Sequence, residues 1–280
     1  MSPERIGDSF RYLLLGQNVL SVLIDPKLID LLPASFGPYW TENVAYSMGV
    51  ITMKPLLDIH SCGNADGWVD SQAGNMHIVT YCVHGVVLFV LTYENINKVD
   101  VWIRQGDAKG FSLGLQHAML IALSDRCIGL HGATLICKDR LVTLSAPSGT
   151  GKTTLANLLR KYSEAALING DFALVSVVDE QVVFEPTPFC GTSGCCLNYR
   201  LPLSNIVFLS QSLQNTYRAI SPREAIISLL SNVFVPDWDS SISDRIHQTV
   251  FKIASVLKFS AYAFAPNREA ALMFDDLVNK

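Results

Sequence analysis

The sequence predicts an α/β fold with a mixed sheet, preceded by a smaller strand-rich domain, and three observations predict it. The first is Ala146-Pro-Ser-Gly-Thr-Gly-Lys152-Thr153, a loop of small residues set between the apolar run Leu141–Ser145 and the amphipathic stretch Thr153–Tyr162. This order reads as strand, phosphate-type loop, helix. The second is a pair of hairpins flanking that unit, where a doubly wound fold would alternate strand with helix. The third is the first 105 residues, a series of short apolar runs broken by turn residues.

Taken in order, Tyr12-Leu-Leu-Leu-Gly16, Val19–Ile24, Val44–Met48 and Val99–Ile103 are the apolar runs of that first domain, residues 1–105. The most apolar stretch, His77–Leu91, carries two histidines and a glycine, is short for a membrane span, and reads as two buried strands. Gly106-Asp-Ala-Lys-Gly110 is a polar, glycine-bearing break, so the second domain is expected over 106–280, opening with a helical stretch from Leu113 to Leu123. Cys127–Cys137 then reads as a strand turning at Lys138-Asp-Arg into the loop strand. After the loop helix, Ala165–Asp171 reads as a strand ending in an acid. Phe172–Val178 and Gln181–Phe184, joined by Asp179-Glu180, make a second hairpin, so the sheet is mixed. Glu185 to Gly194 is a Pro/Gly loop of the kind that positions or covers a substrate near such a site, or simply connects. Ser221-Pro-Arg-Glu224 is a capping box with proline at the first helical position, opening a helix to about Asn232. Ile242–Leu257 and Asn267–Val278 are two further helices.

Composition narrows the function. The chain has 280 residues, 49% hydrophobic and 16% charged, enough for proper cores, and a formal net charge of −4 with no Lys/Arg run argues against nucleic acid as a partner. The opening Met1 to Asp8 lacks the layout of a secretory signal, which points to a cytoplasmic protein with no membrane partner. Seven cysteines, with no Cys-x-x-Cys pair, are expected as reduced thiols; Cys190, Cys195 and Cys196 cluster as a metal site or a redox pair would, but without the spacing tetrahedral zinc requires.

The chemistry lies in the loop. Gly149 and Gly151 let the backbone curl with its N–H groups inward, where helix-terminal amides and Lys152 meet anionic phosphates. Ser148, Gly149, Thr150, Gly151, Lys152, Thr153 and Thr154 are the expected nucleotide cradle for ATP, with Thr153 a ligand to Mg²⁺. Asp171, at a strand end where ligands gather in α/β sheets, is the candidate metal ligand or base. His131 on the strand before the loop is by default a core histidine. Arg200 is either a phosphate or carboxylate contact or an ordinary exposed arginine, and Arg223 is a solvated one.

His131-Gly132, Gly149-Thr-Gly-Lys-Thr153 and Leu167-Ile-Asn-Gly-Asp171 together resemble the C-terminal domain of HPr kinase/phosphorylase, a P-loop fold shared with phosphoenolpyruvate carboxykinase. The likeness covers about residues 113 to 275. The opening Tyr12–Gly16 followed by Val19-Leu-Ser21 also resembles small proteins of this type that phosphorylate a serine of a lasso-peptide precursor. The resemblance implies an ATP- and Mg²⁺-dependent serine kinase with a peptide or small-protein acceptor, with catalytic residues Asp171, His131 and Lys152, and it leaves a homo-oligomer open. There are two departures. That family has adjacent aspartates where this chain has Gly170-Asp171, and the family's signature for binding HPr and for dephosphorylation is missing after the hairpin. Two other classes stay open: a small-metabolite kinase, which should carry an arginine-rich lid, and a nucleotide-binding regulator that transfers nothing.

Overall fold

In the computed structural model, residues 9–41, 44, 46–57 and 62–278 are described; the opening segment read for a signal lies outside them, as does Ala45 within the run Val44–Met48. The chain divides into two units between Ser124 and Asp125.

The first unit is one mixed eight-stranded sheet. Its strands are β1 (Ser9–Leu15), β2 (Asn18–Ile24), β3 (Trp40–Thr41), β4 (Gly49–Leu56), β5 (Gly67–Ala73), β6 (Met76–Val83), β7 (Val86–Asn95) and β8 (Lys98–Arg104), in the order β3-β1-β2-β4-β8-β7-β6-β5. The apolar stretch His77–Leu91 is a hairpin of β6 and β7, as its internal glycine suggests. Val44–Met48, expected as a strand, precedes β4 instead. Helix α1 (Ala108–Ala122) packs on β4, β7 and β8 and so belongs to this unit. The expected boundary at Gly106–Gly110 is therefore displaced. Those residues hold the start of the helix: the Asp107 side chain accepts from the Gly110 N–H as an N-cap, and a Cβ at Gly110 would stand 2.6 Å from the Leu88 carbonyl oxygen.

The second unit is an α/β layer structure. Its strands are β9 (Cys127–Cys137), β10 (Arg140–Ser145), β11 (Ala166–Asn169), β12 (Phe172–Val178), β13 (Gln181–Glu185), β14 (Leu201–Pro202), β15 (Asn205–Gln211), β16 (Thr216–Ala219) and β17 (Lys258–Phe264). They run β14-β13-β12-β9-β10-β15-β17-β16, with β11 also on β9. Pairings β10–β15 and β15–β17 are parallel and the others antiparallel, so the sheet is mixed. The helices are α2 (Lys152–Tyr162), α3 (Pro222–Leu230), α4 (Ser240–Val256) and α5 (Arg268–Val278). Leu155, Ala156 and Leu159 of α2 and Ala271, Phe274 and Val278 of α5 bury one apolar core with Leu135, Val142, Leu144, Val207 and Tyr262 of the sheet. The capping box of α3 forms as its sequence predicts, with Ser221 and Glu224 bonding reciprocally. Asp179 and Glu180, the two turn residues between β12 and β13, both have positive φ, which keeps the hairpin tight.

The thiol expectation is corrected. Topology brings Cys62 to Cys82 and Cys190 to Cys196, and both pairs are disulfides; Cys127, Cys137 and Cys195 are free. No helix among the described residues is long and apolar enough to cross a membrane.

Candidate phosphate-binding site

Strand β9 creates the site by changing partners. Its first half, Cys127–His131, pairs with β12, and its second half pairs with β11 on the same edge. Between those partners the chain must cross from one register to the other, and Gly170 and Asp171 make the crossing. On the opposite edge β10 ends with Ser145 beside Gly132, and on the near edge the Gly132 N–H donates to the Asp171 carbonyl at 2.9 Å. Ser145, Gly132 and Asp171 therefore form a row across three adjacent chains. Two strand spacings place the start of the loop about 10 Å from the acid.

The loop has the backbone its glycines allow. Gly149 and Gly151 have φ of 79° and 106°, a region closed to most side chains. Gly151 is also the N-cap of α2, and no side chain caps that end. The first N–H groups of α2 thus have no side-chain cap and lie at the positive end of the helix dipole, the arrangement that binds anions. Ser148 and Gly149 are exposed and Thr150 half-buried, while Thr153 and Thr154 face solvent in the first turn. Gln211 at the end of β15 donates to the Gly149 carbonyl at 3.2 Å and ties the loop to the sheet.

Lys152 is only 7% exposed. Its ammonium donates to the carbonyls of Ala146 at 2.7 Å and Pro147 at 3.1 Å, inside the curl of its own loop. Burial pulls its pKa below the ordinary lysine value, and the nearby Asp171 carboxylate opposes that pull. His131 Nδ1 stands 3.6 Å from Asp171 Oδ1. Burial and the Lys152 charge hold its pKa below the ordinary histidine value, against the pull of Asp171, so the neutral imidazole is favoured. The fold thus assembles Lys152, His131 and Asp171, three residues spread over forty positions of sequence.

Asn169 has no role of its own in the sequence expectations, yet it holds the acid in place. It is 1% exposed. Its Oδ1 accepts from the N–H groups of Asp171 and Phe172, both at 3.0 Å, and its Nδ2 donates to the Phe189 carbonyl at 3.2 Å. One side chain therefore sets the turn that presents Asp171 and anchors the Pro/Gly loop beside it. Nothing local in Ile-Asn-Gly-Asp signals this role. Gly170 is held by close approach: a Cβ there would lie 1.9 Å from Ser193 Oγ. A second aspartate at 170 would displace Ser193, so the single carboxylate follows from how the loop packs.

Arg200 is neither a phosphate contact nor an exposed arginine. Its Nε donates to both carboxylate oxygens of Glu185, at 3.2 and 3.0 Å, and Ser176 donates to the same acid at 2.7 Å. Glu185 is 1% exposed, so Arg200 neutralises a buried charge. Among the described residues no group of three or more His, Cys, Asp or Glu is placed to hold a metal ion. Magnesium at a nucleotide needs no such group, since one carboxylate and a hydroxyl suffice beside phosphate oxygens. Thr153 and Asp171 offer that pair.

Two hollows flank the loop. One, of about 470 Å³, is lined by Gly149, Thr150, Gly151, Gln211, Leu213 and Phe264, at the carboxyl ends of β10, β15 and β17. The other, of about 910 Å³, runs along α2 from Thr153 to Lys161, against β11 and residues 192–195.

No protein-family model matches the chain, and no curated protein does. Among solved structures it is similar to "Structure of the Hpr(Ser) kinase/phosphatase from Coxiella burnetii", at 13% identity and a TM-score of 0.32, covering 54% of this chain and 93% of that one. The likeness is loose, and the weight rests on the residues of the loop and its neighbours.

Proposed function

We propose that the chain is an ATP- and Mg²⁺-dependent kinase that phosphorylates a serine hydroxyl of a peptide or small protein, a ribosomally made peptide precursor among them. The observation that carries this reading is the row Ser145, Gly132, Asp171, which sets a glycine-built phosphate loop with a buried lysine about 10 Å from a half-exposed carboxylate. That gap suits a terminal phosphate and an attacking hydroxyl.

Phosphoryl transfer depends on positioning and charge neutralisation more than on covalent help. The N–H groups of residues 148–154 receive the phosphates. Lys152 leaves the Ala146 and Pro147 carbonyls, its holding partners, and donates to the β- and γ-phosphate oxygens. Thr153 supplies a hydroxyl to Mg²⁺, which when bound neutralises charge on those oxygens. Asp171 accepts the proton of the serine hydroxyl as its oxygen bonds to the γ-phosphorus and the bond from that phosphorus to the β–γ bridging oxygen breaks, releasing ADP. His131, favoured as the neutral imidazole, turns an N–H toward Asp171 and orients it without adding a second cation beside Lys152. The 470 Å³ hollow at the ends of β15 and β17 accommodates the nucleoside, with the Phe264 ring as an apolar wall. A small-metabolite kinase would want cations on a lid over the acceptor, and Arg200 is committed to Glu185 instead.

The test is intact-mass spectrometry of acceptor peptides and of a small HPr-like protein after incubation with Mg-ATP. Lys152→Ala should lose both nucleotide binding and product. Asp171→Asn should bind ATP and yield no product at saturating Mg²⁺. Normal turnover by Asp171→Asn would overturn the assignment, and rescue by raised Mg²⁺ would move Asp171 from proton acceptor to metal ligand.

A further inference from the structure

We infer that the 910 Å³ hollow along α2 is the acceptor-docking cleft and that it selects acidic peptide segments, with a carboxylate about three residues from the phosphorylated serine. This rests on the kinase reading above and adds the substrate class to it. The cleft starts at the reaction centre, since Thr153 and Gly170 are in its wall, and it is bounded on one side by residues 192–195 of the Pro/Gly loop. In sheet order it lies on the β11 side of β10, whereas the nucleoside hollow lies on the β15 side. The donor and acceptor therefore approach the phosphate loop from different flanks.

Charge chooses the ligand. Arg160 and Lys161 both line the cleft, and no carboxylate does. Arg160 is exposed and has no ion-pair partner among the described residues. It lies close enough to Cys195, on the opposite wall, to draw that thiol's pKa downward against the effect of burial. The Lys161 ammonium sits 5.0 Å from the Tyr162 ring. A cation in the last turn of a helix is ordinary, because it complements the dipole. Two cations facing one acid-free hollow whose other end is the phosphate loop are what an anionic ligand requires.

Helix geometry gives the spacing. Seven residues separate Thr153 from Arg160, which is about 10 Å along the axis at 1.5 Å per residue. An extended peptide spans that in about three residues. A serine at Asp171 then brings a glutamate or aspartate at that distance level with Arg160. The remaining walls, Ala156, Ala165, Ala166 and Leu167, are small or apolar and leave room for backbone and short side chains.

Fluorescence anisotropy on the full chain tests this, with Mg²⁺ and a non-hydrolysable ATP analogue present and two labelled peptides that differ only in Glu-Glu or Gln-Gln placed three residues from a single serine. The acidic peptide should bind about tenfold more tightly at low salt, as two partly exposed ion pairs allow. Arg160→Glu/Lys161→Glu should abolish that advantage, and Arg160→Gln/Lys161→Gln should reduce it. In the transfer assay the charge reversal should raise KM for the acidic peptide with kcat unchanged. Equal binding of both peptides, or an acidic preference indifferent to residues 160 and 161, would overturn the cleft assignment. Transfer to both peptides alike would leave the kinase standing without it; cation-dependent binding with no transfer would leave the cleft standing without the kinase.

Discussion

Replacing Asn169 by alanine should damage stability and transfer together, because one buried amide serves both. The substitution strands the N–H groups of Asp171 and Phe172, each bonded at 3.0 Å, and the Phe189 carbonyl bonded at 3.2 Å. A buried donor left unsatisfied costs about 1–3 kcal/mol. The Asp171 N–H is near enough to solvent to find water, so the total is about 3 kcal/mol. In a unit of this size that lowers the melting temperature by roughly 6–12 °C, which thermal unfolding followed by circular dichroism will read. Asn169→Asp separates the two arms. It keeps an oxygen for the two N–H groups but turns a second oxygen toward the Phe189 carbonyl, so the Asp171 turn persists while the Pro/Gly loop is repelled. Limited proteolysis should then cut between residues 186 and 200 in Asn169→Asp, while nucleotide binding survives. Asn169→Ala with an unchanged melting temperature and unchanged kcat would refute the view that this residue positions Asp171.

Two further outcomes follow from packing and burial. Gly170→Ala should destabilise the chain, and Ser193→Gly should recover much of the loss, because the clash of the new Cβ is with Ser193 Oγ and Cβ at 1.9 and 2.4 Å; additive effects of the two changes in a double-mutant cycle would count against it. In the first unit, His117 sits with its ring against Trp68 and Phe89 and its Nδ1 at 2.7 Å from the Leu113 carbonyl, and burial pulls its pKa down to about 4. Because the unfolded chain binds the proton more readily, stability should fall as pH drops from about 6.5 to 4, by up to about 3 kcal/mol. His117→Gln should flatten that slope, and an identical pH profile in the variant would show that the histidine does not carry it.

Local signals were legible, and pairings between distant segments were not. The loop, its strand and its helix are legible because glycine spacing, apolar period and chain order all lie within twenty residues. The two hairpins are legible because their turns are two residues long. Strands β15 and β17 went unread, although Ile206-Val-Phe-Leu209 and Lys258–Phe264 carry strand-like runs, since their parallel partners lie about sixty and fifty residues away. The Cys62–Cys82 pair was hidden for the same reason, since nothing in the sequence says that Cys62 reaches Cys82 across β5 and β6, whereas Cys190 and Cys196, six residues apart, lie in a cluster the sequence shows. Gly106–Gly110 read as a boundary because glycine marks a break far more often than a helix start beneath a carbonyl. Asp107 was the counter-signal, an N-cap three residues before the amide it accepts.

Within the candidate site, the motif residues can be named from the sequence and the contacts that hold them cannot. Lys152, Thr153 and Asp171 announce themselves by chemistry. Asn169 and Ser193 act only through contacts that exist once β9 has exchanged β12 for β11. That exchange also explains why the acid stands where it does. The ladder with β12 ends at His131, which pairs with Phe172, and at the next residue the Gly132 N–H donates to the Asp171 carbonyl of the crossing chain. The carboxylate is thus delivered by a defect in the sheet placed level with the start of the phosphate loop, and the cost of the defect is met by the amide of Asn169. The same crossing turns the chain toward residues 192–195, so the wall of the 910 Å³ hollow and the Asp171 carboxylate are set by one local arrangement. A change in either should therefore be felt in the other.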